Sequence, residues 1–192
     1  RDAFVGNQIS DKKVGIIGFG RIGKIVSKIL KSFGAKIYVF EKYNSKASNR
    51  YKKANMNFIF SKCDIISVHI DSRKENFNLI GKKFINKMKK NAIFINTSRG
   101  EIVNEKFLIS TLKKKKIAGA GLDVLEGDSA WGKKVQNNKI INYFKKNDNL
   151  IITPHLGGNT LEASNKTKEL IIKKLISSLS SKCLILKKTK KN

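Results

Sequence analysis

The sequence predicts an α/β domain with a doubly wound, mostly parallel β-sheet. Two observations support this prediction: short apolar runs alternate with amphipathic stretches along the whole chain, and those runs are nearly continuous in Ile and Val. Continuous apolar strands are typical of parallel sheets that are buried on both faces. The amphipathic stretches between them are typical of the helices that cover those faces.

The first part of the chain contains three predicted strands and two predicted helices. KVGIIG is a buried strand, and the helix that follows it runs from about Ile22 to Phe33, where Gly34 ends it. AKIYVF is the second strand. The polar segment 41–55 is predicted to contain a short helix, and the apolar run MNFIF is predicted to be a brief strand.

Further along the chain, the predicted strands are DIISVHI, AIFINT, IAGAGLDV and NLIITP. FINKMKK and NEKFLISTLKKK are predicted helices, the second with Asn104 as its N-cap. The stretch TLEASNKTKELIIKKLISSL is predicted to form a long closing helix. Thr160 is its expected cap, and Glu162 lies in its first turn, where a carboxylate complements the helix dipole.

Composition excludes several classes of protein. No apolar run approaches the length of a membrane span. The two cysteines, Cys63 and Cys183, lie far apart, which indicates reduced thiols in a cytoplasmic protein rather than a disulfide framework or a metal site. The net charge is +27, but only five of the 41 basic residues are arginines and the lysines are spread along the chain. This distribution favours a lysine-rich surface over a specific nucleic-acid site, with weak binding of polyanions at low salt.

A G-x-G-x-x-G motif at Gly18, Gly20 and Gly23 joins the first strand to the first helix. In this context the first glycine permits a tight turn, the second leaves room for a pyrophosphate, and the third lets the helix approach the strand. The helix N-terminus, with Arg21 and Ile22 beside it, offers free N–H groups and a positive dipole end to the phosphates. We therefore predict that this turn binds a dinucleotide.

The acidic residue Glu41 closes the second strand, 18 residues after Gly23. A carboxylate at this position accepts hydrogen bonds from the adenosine ribose hydroxyls and repels a 2′-phosphate. Glu41 therefore favours NAD over NADP, although Lys42 beside it counts against that preference.

Polar residues also follow the other predicted strands, at the edge where open parallel sheets bind ligands. Both histidines of the chain fall there, His69 after DIISV and His155 after LIITP. The other candidates at this edge are Thr97, Ser98, Arg99, Asp123, Glu126, Asp128, Gly157 and Gly158. Each of these residues alone also fits a structural role in a loop or turn, so the prediction depends on their meeting at one edge.

Three of these groups fit hydride transfer between an alcohol and a ketone. Histidine as a residue type titrates near neutrality, which suits it to exchange the proton in both directions, and His155 supplies this group. A carboxylate, from Asp128 or Glu126, would hold one tautomer of the imidazole and favour its protonated form. Arg99 would bind a substrate carboxylate with two hydrogen bonds.

Four stretches of the chain carry a resemblance to the NAD-binding domain of the D-isomer-specific 2-hydroxyacid dehydrogenases: KKVGIIGFGRIG, DIISVHI, INTSRGEIVNEKFLISTLKKKKIAGAGLDVLEG and NLIITPHLGGNT. The resemblance implies NAD as cofactor and hydride exchange with C2 of a D-2-hydroxy acid or 2-keto acid. It implies that Arg99 binds the substrate carboxylate and carbonyl and that His155 is the general acid and base. It also implies that Asp123 lies near the nicotinamide carboxamide, and that Thr97 and His69 line the nicotinamide pocket.

Two positions depart from the family pattern. The position of the catalytic glutamate holds Asp128, which is one methylene shorter, and Glu126 lies two residues earlier, so either carboxylate is a candidate partner of His155. Asp71 stands where the family often has proline. The long loop after Asp128 contains Trp131, which is expected to anchor that loop on the sheet rather than to cover a substrate.

The resemblance also sets expectations for the whole chain. Residues 1–180 are assigned to the NAD-binding domain, and residues 181–192 to a basic tail or a remnant of the return to a substrate domain. Because the chain begins at Arg1, where the cofactor domain would begin, we expect that substrate domain to be largely missing, cofactor binding to persist and catalysis to be weak. A homodimer without metal is expected, and TPHLGGNTLEA is most similar to the D-3-phosphoglycerate dehydrogenase branch. The alternative function is a non-catalytic NAD-sensing module, similar to the family's corepressors.

Overall fold

The computed structural model describes residues 6–42, 50–128 and 139–189, with side chains described as far as residue 179. The chain divides into two compact units, Arg1–Pro154 and His155–Asn192. Within the described residues, the first unit contains one β-sheet and five α-helices, and the second contains one long α-helix.

The sheet of the first unit is entirely parallel, and its described strands lie in the spatial order β3-β2-β1-β4-β5-β6-β7. The strands are β1 (Lys13–Ile17), β2 (Lys36–Phe40), β3 (Lys52–Lys53), β4 (Ile65–Val68), β5 (Ile93–Asn96), β6 (Gly119–Leu122) and β7 (Leu150–Ile152). β1 pairs with both β2 and β4, so the order of the chain reverses between β1 and β4. Open α/β sheets bind ligands at the carboxyl ends of the strands at such a reversal.

Helices cover both faces of this sheet. They are α1 (Arg21–Ser32), α2 (Met56–Lys62), α3 (Lys82–Ile85), α4 (Glu105–Lys113) and α5 (Lys139–Phe144). The second unit contains α6 (Leu161–Thr189). Ile37 and Val39 of β2 belong to one apolar cluster, whereas Tyr38 and Phe40 pack against another. Because successive strand residues point to opposite faces, the two clusters lie on opposite faces of the sheet. The first cluster packs against α1 and the second includes residues of α2 to α5, which confirms the predicted doubly wound fold.

The predicted caps of two helices are confirmed. Asn104 precedes α4 and accepts a hydrogen bond from the backbone N–H of Phe107 at 2.9 Å. Thr160 precedes α6, and its hydroxyl oxygen accepts one from the backbone N–H of Ala163 at 3.1 Å. Each bond satisfies one of the N–H groups that a helix leaves unpaired in its first turn.

The prediction of a strand at MNFIF is wrong, because this run forms most of α2. Asn55 caps the helix by accepting a hydrogen bond from the N–H of Phe58 at 2.8 Å. Met56, Ile59 and Phe60 are buried, and their spacing of three and four residues places them on one helical face. A capped helix buries these side chains against the sheet, whereas a five-residue strand would turn alternate ones away.

Other expectations have mixed outcomes. Residues 43–49, within the segment predicted to contain a short helix, lie outside the described residues, and Lys52–Lys53 forms β3. Trp131 also lies outside the described residues. α6 continues to Thr189, so it includes most of the segment that was expected to form a tail.

Candidate active site

The glycine turn between β1 and α1 has a backbone that only glycine fits at two of its three motif positions. Gly18 has a φ of +94°, and a Cβ there would lie 2.5 Å from the carbonyl oxygen of His69. A Cβ at Gly23 would lie 2.1 Å from the carbonyl oxygen of Gly18. Gly20 differs from both, because a Cβ at this N-cap residue of α1 would meet nothing within 4 Å. The first and third glycines therefore shape the turn, and the second leaves space in front of the helix.

A cavity of about 850 Å³ opens at this turn, beyond the carboxyl ends of β1, β2 and β4. Its volume is typical of small-molecule and cofactor sites. Six of the residues predicted to bind the cofactor line it: Gly18, Gly20, Arg21, Ile22, Glu41 and His69. Met56, Ile70 and Leu79 add apolar walls. The space in front of Gly20, at the N-terminus of α1, fits the phosphates of a dinucleotide, since it offers backbone N–H groups without a blocking side chain.

Glu41 is tied directly to the glycine turn. The backbone N–H of Phe19 donates a hydrogen bond to Oε2 of Glu41 at 2.8 Å. This bond joins the end of β2 to the turn after β1, so the carboxylate is held at the wall of the cavity rather than in solvent. The arrangement fits the predicted role of Glu41 as acceptor for ribose hydroxyls.

His69 follows β4 and forms part of the same wall. Its backbone N–H donates to the carbonyl oxygen of Ile17 at 2.7 Å, which continues the pairing of β4 with β1. Its Nε2 lies 2.9 Å from the hydroxyl oxygen of Ser67. Burial lowers the pKa of His69, because it penalises the charged form. The ring is therefore neutral at neutral pH and adds no charge to the cavity.

The loop that carries Arg99 is organised by Asn96, the last residue of β5. Oδ1 of Asn96 accepts hydrogen bonds from the backbone N–H and the hydroxyl of Ser98, at 3.1 and 2.9 Å. Its Nδ2 donates to the carbonyl oxygen of Arg99 at 2.9 Å. Thr97 and Arg99 themselves are exposed beyond the end of the strand. Asn96 is not among the residues predicted from the sequence, where its one signal is that of a polar residue at the end of an apolar run.

Asp123, which follows β6, is buried and held from two sides. Its Oδ1 accepts a hydrogen bond from the hydroxyl of Thr153 at 2.5 Å. Its backbone N–H donates to the carbonyl oxygen of Asn96 at 3.0 Å, so the ends of β5, β6 and β7 are joined at this point. Thr153 was also missed, because no sequence pattern relates it to a residue so far back along the chain.

The acidic loop after β6 is fixed by a buried carboxylate of α4. Oε1 of Glu105 accepts a hydrogen bond from the backbone N–H of Glu126 at 2.5 Å. Gly100 lies against the same loop, since a Cβ there would be 2.2 Å from that nitrogen atom. Of the two candidate carboxylates, Glu126 is exposed, whereas Oδ2 of Asp128 accepts a hydrogen bond from the N–H of Leu125 at 3.3 Å. Glu105 is a further residue that was not predicted from the sequence.

His155 lies in the second unit and has an unusual backbone. Its φ is +54°, in the left-handed region that residues other than glycine rarely adopt. Such backbone conformations are concentrated at functional sites. Gly157 and Gly158 follow it in an exposed segment that leads into α6. The catalytic role of His155 and the cofactor contacts of the two glycines remain predictions.

Two further properties concern only the part of the chain that the structure describes. There, no helix combines the length and the apolar character that crossing a membrane requires. No group of three or more His, Cys, Asp or Glu side chains in these residues is placed to hold a metal ion.

A family model described as D-isomer specific 2-hydroxyacid dehydrogenase, NAD binding domain, matches residues 1–157. The chain belongs to this family. The match includes the glycine turn, Glu41, Arg99 and His155, so the predicted resemblance is confirmed over most of the chain. NAD as the cofactor of the family is confirmed with it.

Curated relatives extend the comparison to whole proteins. The chain is 38% identical over 176 residues to a glyoxylate reductase of Thermococcus litoralis, which covers 90% of this chain and 50% of the relative. It is 34% identical over 158 residues to the D-3-phosphoglycerate dehydrogenase of Haemophilus influenzae, and this alignment covers 82% of this chain and 38% of the relative. The chain thus spans half of these relatives or less.

Solved structures share the fold. A D-lactate dehydrogenase with NAD+ from Lactobacillus jensenii superposes with a TM-score of 0.81 at 34% identity, covering 90% of this chain and 54% of that one. An acyclic imino acid reductase in complex with NADPH and D-Arg gives a TM-score of 0.82 at 31% identity, covering 93% and 54%. These two structures therefore hold different nicotinamide cofactors on the same fold.

Proposed function

We propose that this chain is the cofactor-binding part of a dehydrogenase that interconverts a D-2-hydroxy acid and its 2-keto acid with NAD. The observation that carries the proposal is the cavity at the glycine turn, where Gly20, Glu41 and His69 come together in a member of this family. NAD, when bound, supplies the hydride acceptor for oxidation or, in its reduced form, the hydride donor for reduction.

The chain's own residues divide the work of holding the cofactor. The N–H groups at the N-terminus of α1 would hold the pyrophosphate, and Glu41 would accept hydrogen bonds from the ribose. Thr97 and Asp123 would line the nicotinamide side, and the segment with Gly157 and Gly158 would complete the site. The hydrogen bonds that fix Asp123 support its role as a rigid positioning group.

Three side chains would act on the substrate. Arg99 would bind the carboxylate and polarise the adjacent carbonyl group, because a guanidinium forms two parallel hydrogen bonds to a carboxylate. His155 would donate the proton to the new alcohol in reduction and remove it in oxidation. Asp128 would stabilise the protonated imidazole, with Glu126 as the alternative carboxylate.

The substrate is a small 2-hydroxy acid, and the motif around His155 favours a phosphoglycerate-like one. Identities of 38% to a glyoxylate reductase and 34% to a D-3-phosphoglycerate dehydrogenase do not separate the two branches. A panel of 2-keto acids, assayed with NADH and the complete gene product, would identify the substrate. We further propose a cytoplasmic homodimer, which gel filtration with light scattering and cell fractionation would check.

The first experiment is a fluorescence titration of the purified chain with NADH. Saturable binding below about millimolar concentration is expected, and its absence would refute the proposed cofactor site. In the complete gene product, His155→Ala should lower turnover by about 10²- to 10⁴-fold while the NADH dissociation constant stays unchanged.

Two matched variants identify the partner of His155. Asp128→Asn should lower kcat and shift the pH profile of turnover, whereas Glu126→Gln should leave both unchanged; the reverse result would assign Glu126 instead. Full turnover in His155→Ala would refute its role as general acid and base. An absence of turnover in the wild-type complete gene product, with NADH still bound, would favour the non-catalytic NAD-sensing module, which finds no support among the relatives named above.

A further inference from the structure

The cavity at the glycine turn has a different charge balance from the rest of the protein. The chain has 41 Lys and Arg residues against 14 Asp and Glu residues. Among the residues that line the cavity, four are cationic and three are acidic: Arg21, Lys24, Lys42 and Arg73, and Glu41, Asp71 and Glu75. With these seven groups charged and His69 neutral, the lining carries a net charge of only +1, and carboxylates are concentrated there.

Two of these carboxylates, Glu75 and Asp71, form ion pairs with lining cations near Glu41, at the end of the cavity that would hold the ribose. Nζ of Lys42 lies 3.6 Å from Oε1 of Glu75, in an ion pair that joins the end of β2 to the short helical turn after β4. Nε of Arg73 lies 2.9 Å from Oδ2 of Asp71 within that second segment. Lys42, the residue next to Glu41, thus pairs with a carboxylate from the segment that follows β4.

This pairing bears on the choice between NAD and NADP. The 2′-phosphate of NADP carries between one and two negative charges at neutral pH and sits on the ribose that Glu41 would bind. A lysine next to Glu41, without a carboxylate beside it, would attract that phosphate and oppose the repulsion from Glu41. Glu75 offsets the charge of this lysine.

We propose that Glu75 is a specificity-determining residue, which keeps the site selective for NAD by pairing with Lys42. The inference rests on the proposed cofactor site. It explains how a lysine can follow Glu41 without conferring affinity for NADP.

The test compares the dissociation constants of NADH and NADPH, measured by fluorescence titration at low and moderate ionic strength. Glu75→Gln should tighten NADPH binding by about three- to tenfold, most strongly at low salt, and change NADH binding by less than about twofold. The double variant Glu75→Gln with Lys42→Gln should restore the wild-type ratio, because the gain acts through Lys42.

Asp11→Asn is the matched control. It removes one carboxylate from another exposed ion pair, that of Asp11 with Lys36 at 2.9 Å, which lies at the opposite end of β2. The net charge changes equally, so this variant should leave the ratio of the two constants unchanged. The inference is overturned by an equal gain for both cofactors in Glu75→Gln, by no gain for NADPH, or by the same shift in the control. Failure of the wild-type chain to bind either cofactor would instead overturn the proposed function, and this inference with it.

Discussion

The three glycines of the turn should respond differently to alanine, because an added Cβ would enter open space at Gly20 but would collide with backbone at Gly18 and Gly23. Gly20 has extended backbone, with φ −75° and ψ −157°, which alanine adopts without strain. A Cβ there would meet no protein atom within 4 Å. Gly20→Ala loses a favourable N-cap but restricts the unfolded chain, so the free energy of unfolding should change by less than about 1 kcal/mol.

Gly23→Ala should instead affect folding. Its Cβ would lie 2.1 Å from the carbonyl oxygen of Gly18 and 3.3 Å from Cγ2 of Ile16, so the backbone of the turn must move. Alanine stabilises a helix by up to about 1 kcal/mol relative to glycine. Overpacking costs about 1–3 kcal/mol, and more where backbone must shift, so we expect a net loss of about 1–2 kcal/mol.

Two measurements on the same samples separate these effects. Urea unfolding followed by circular dichroism gives the stability, and fluorescence titration gives the NADH dissociation constant. Gly20→Ala should bind NADH at least about tenfold more weakly, which corresponds to about 1.4 kcal/mol, because the methyl group occupies space that the pyrophosphate needs. Gly121→Ala is the control, since its Cβ also meets nothing within 4 Å but lies on β6, outside the cavity lining. Wild-type NADH binding by Gly20→Ala, or a loss of stability equal to that of Gly23→Ala, would refute the reasoning.

Three other predictions test the core and its buried titratable groups. Burial lowers the pKa of His69 from 6.5, so the unfolded chain binds a proton at this residue more readily than the folded chain does. The free energy of unfolding should therefore be unaffected by this residue above about pH 6.5 and should decline below it. Urea unfolding over a pH series should show a smaller decline in His69→Gln than in the wild-type chain. Burial raises the pKa of Cys63 to about 12, so in a Cys183→Ser background iodoacetamide should label it only after unfolding, as read by mass spectrometry. Phe94→Ala should lower the free energy of unfolding by about 3–5 kcal/mol in urea, whereas Phe77→Ala, at a half-exposed position, should lower it far less.

Strands and caps of this fold follow from local patterns, and α2 shows where such patterns fail. The runs KVGIIG and DIISVHI form β1 and β4, and Asn104 caps α4, because apolar continuity and capping act over a few residues. MNFIF is too short for a helical period to be distinguished from a strand. Its helical form is decided by the Asn55 cap and by burial of one face in the assembled core, and that core is not visible in five residues.

The candidate site divides in the same way. The glycine turn and Glu41 are predictable because dinucleotide-binding domains in general require these residue types at this spacing. Glu105 and Thr153 are not, since their partners lie 21 and 30 residues away along the chain. As an acidic residue in the first turn of α4, Glu105 resembles an ordinary complement to the helix dipole. Only the tertiary fold turns its carboxylate onto the loop that carries Glu126.

The lysine-rich surface is formed by side chains, whereas the phosphate end of the candidate cofactor site is formed by backbone groups. In the proposed site, the groups that would bind the phosphates are backbone N–H donors. Gly18 and Gly23 are required at the turn because any side chain would collide with neighbouring backbone. Added lysines change the exposed side chains without altering these donors or the apolar clusters beneath them. In this proposal, side chains affect the choice between NAD and NADP at the end of the cavity with Glu41, where the adjacent Lys42 would attract a 2′-phosphate. Glu75, one of 14 acidic residues in the chain, pairs with Lys42 at this end of the cavity. In the proposal above, this pair offsets the positive charge at the position where that charge would favour NADP over NAD.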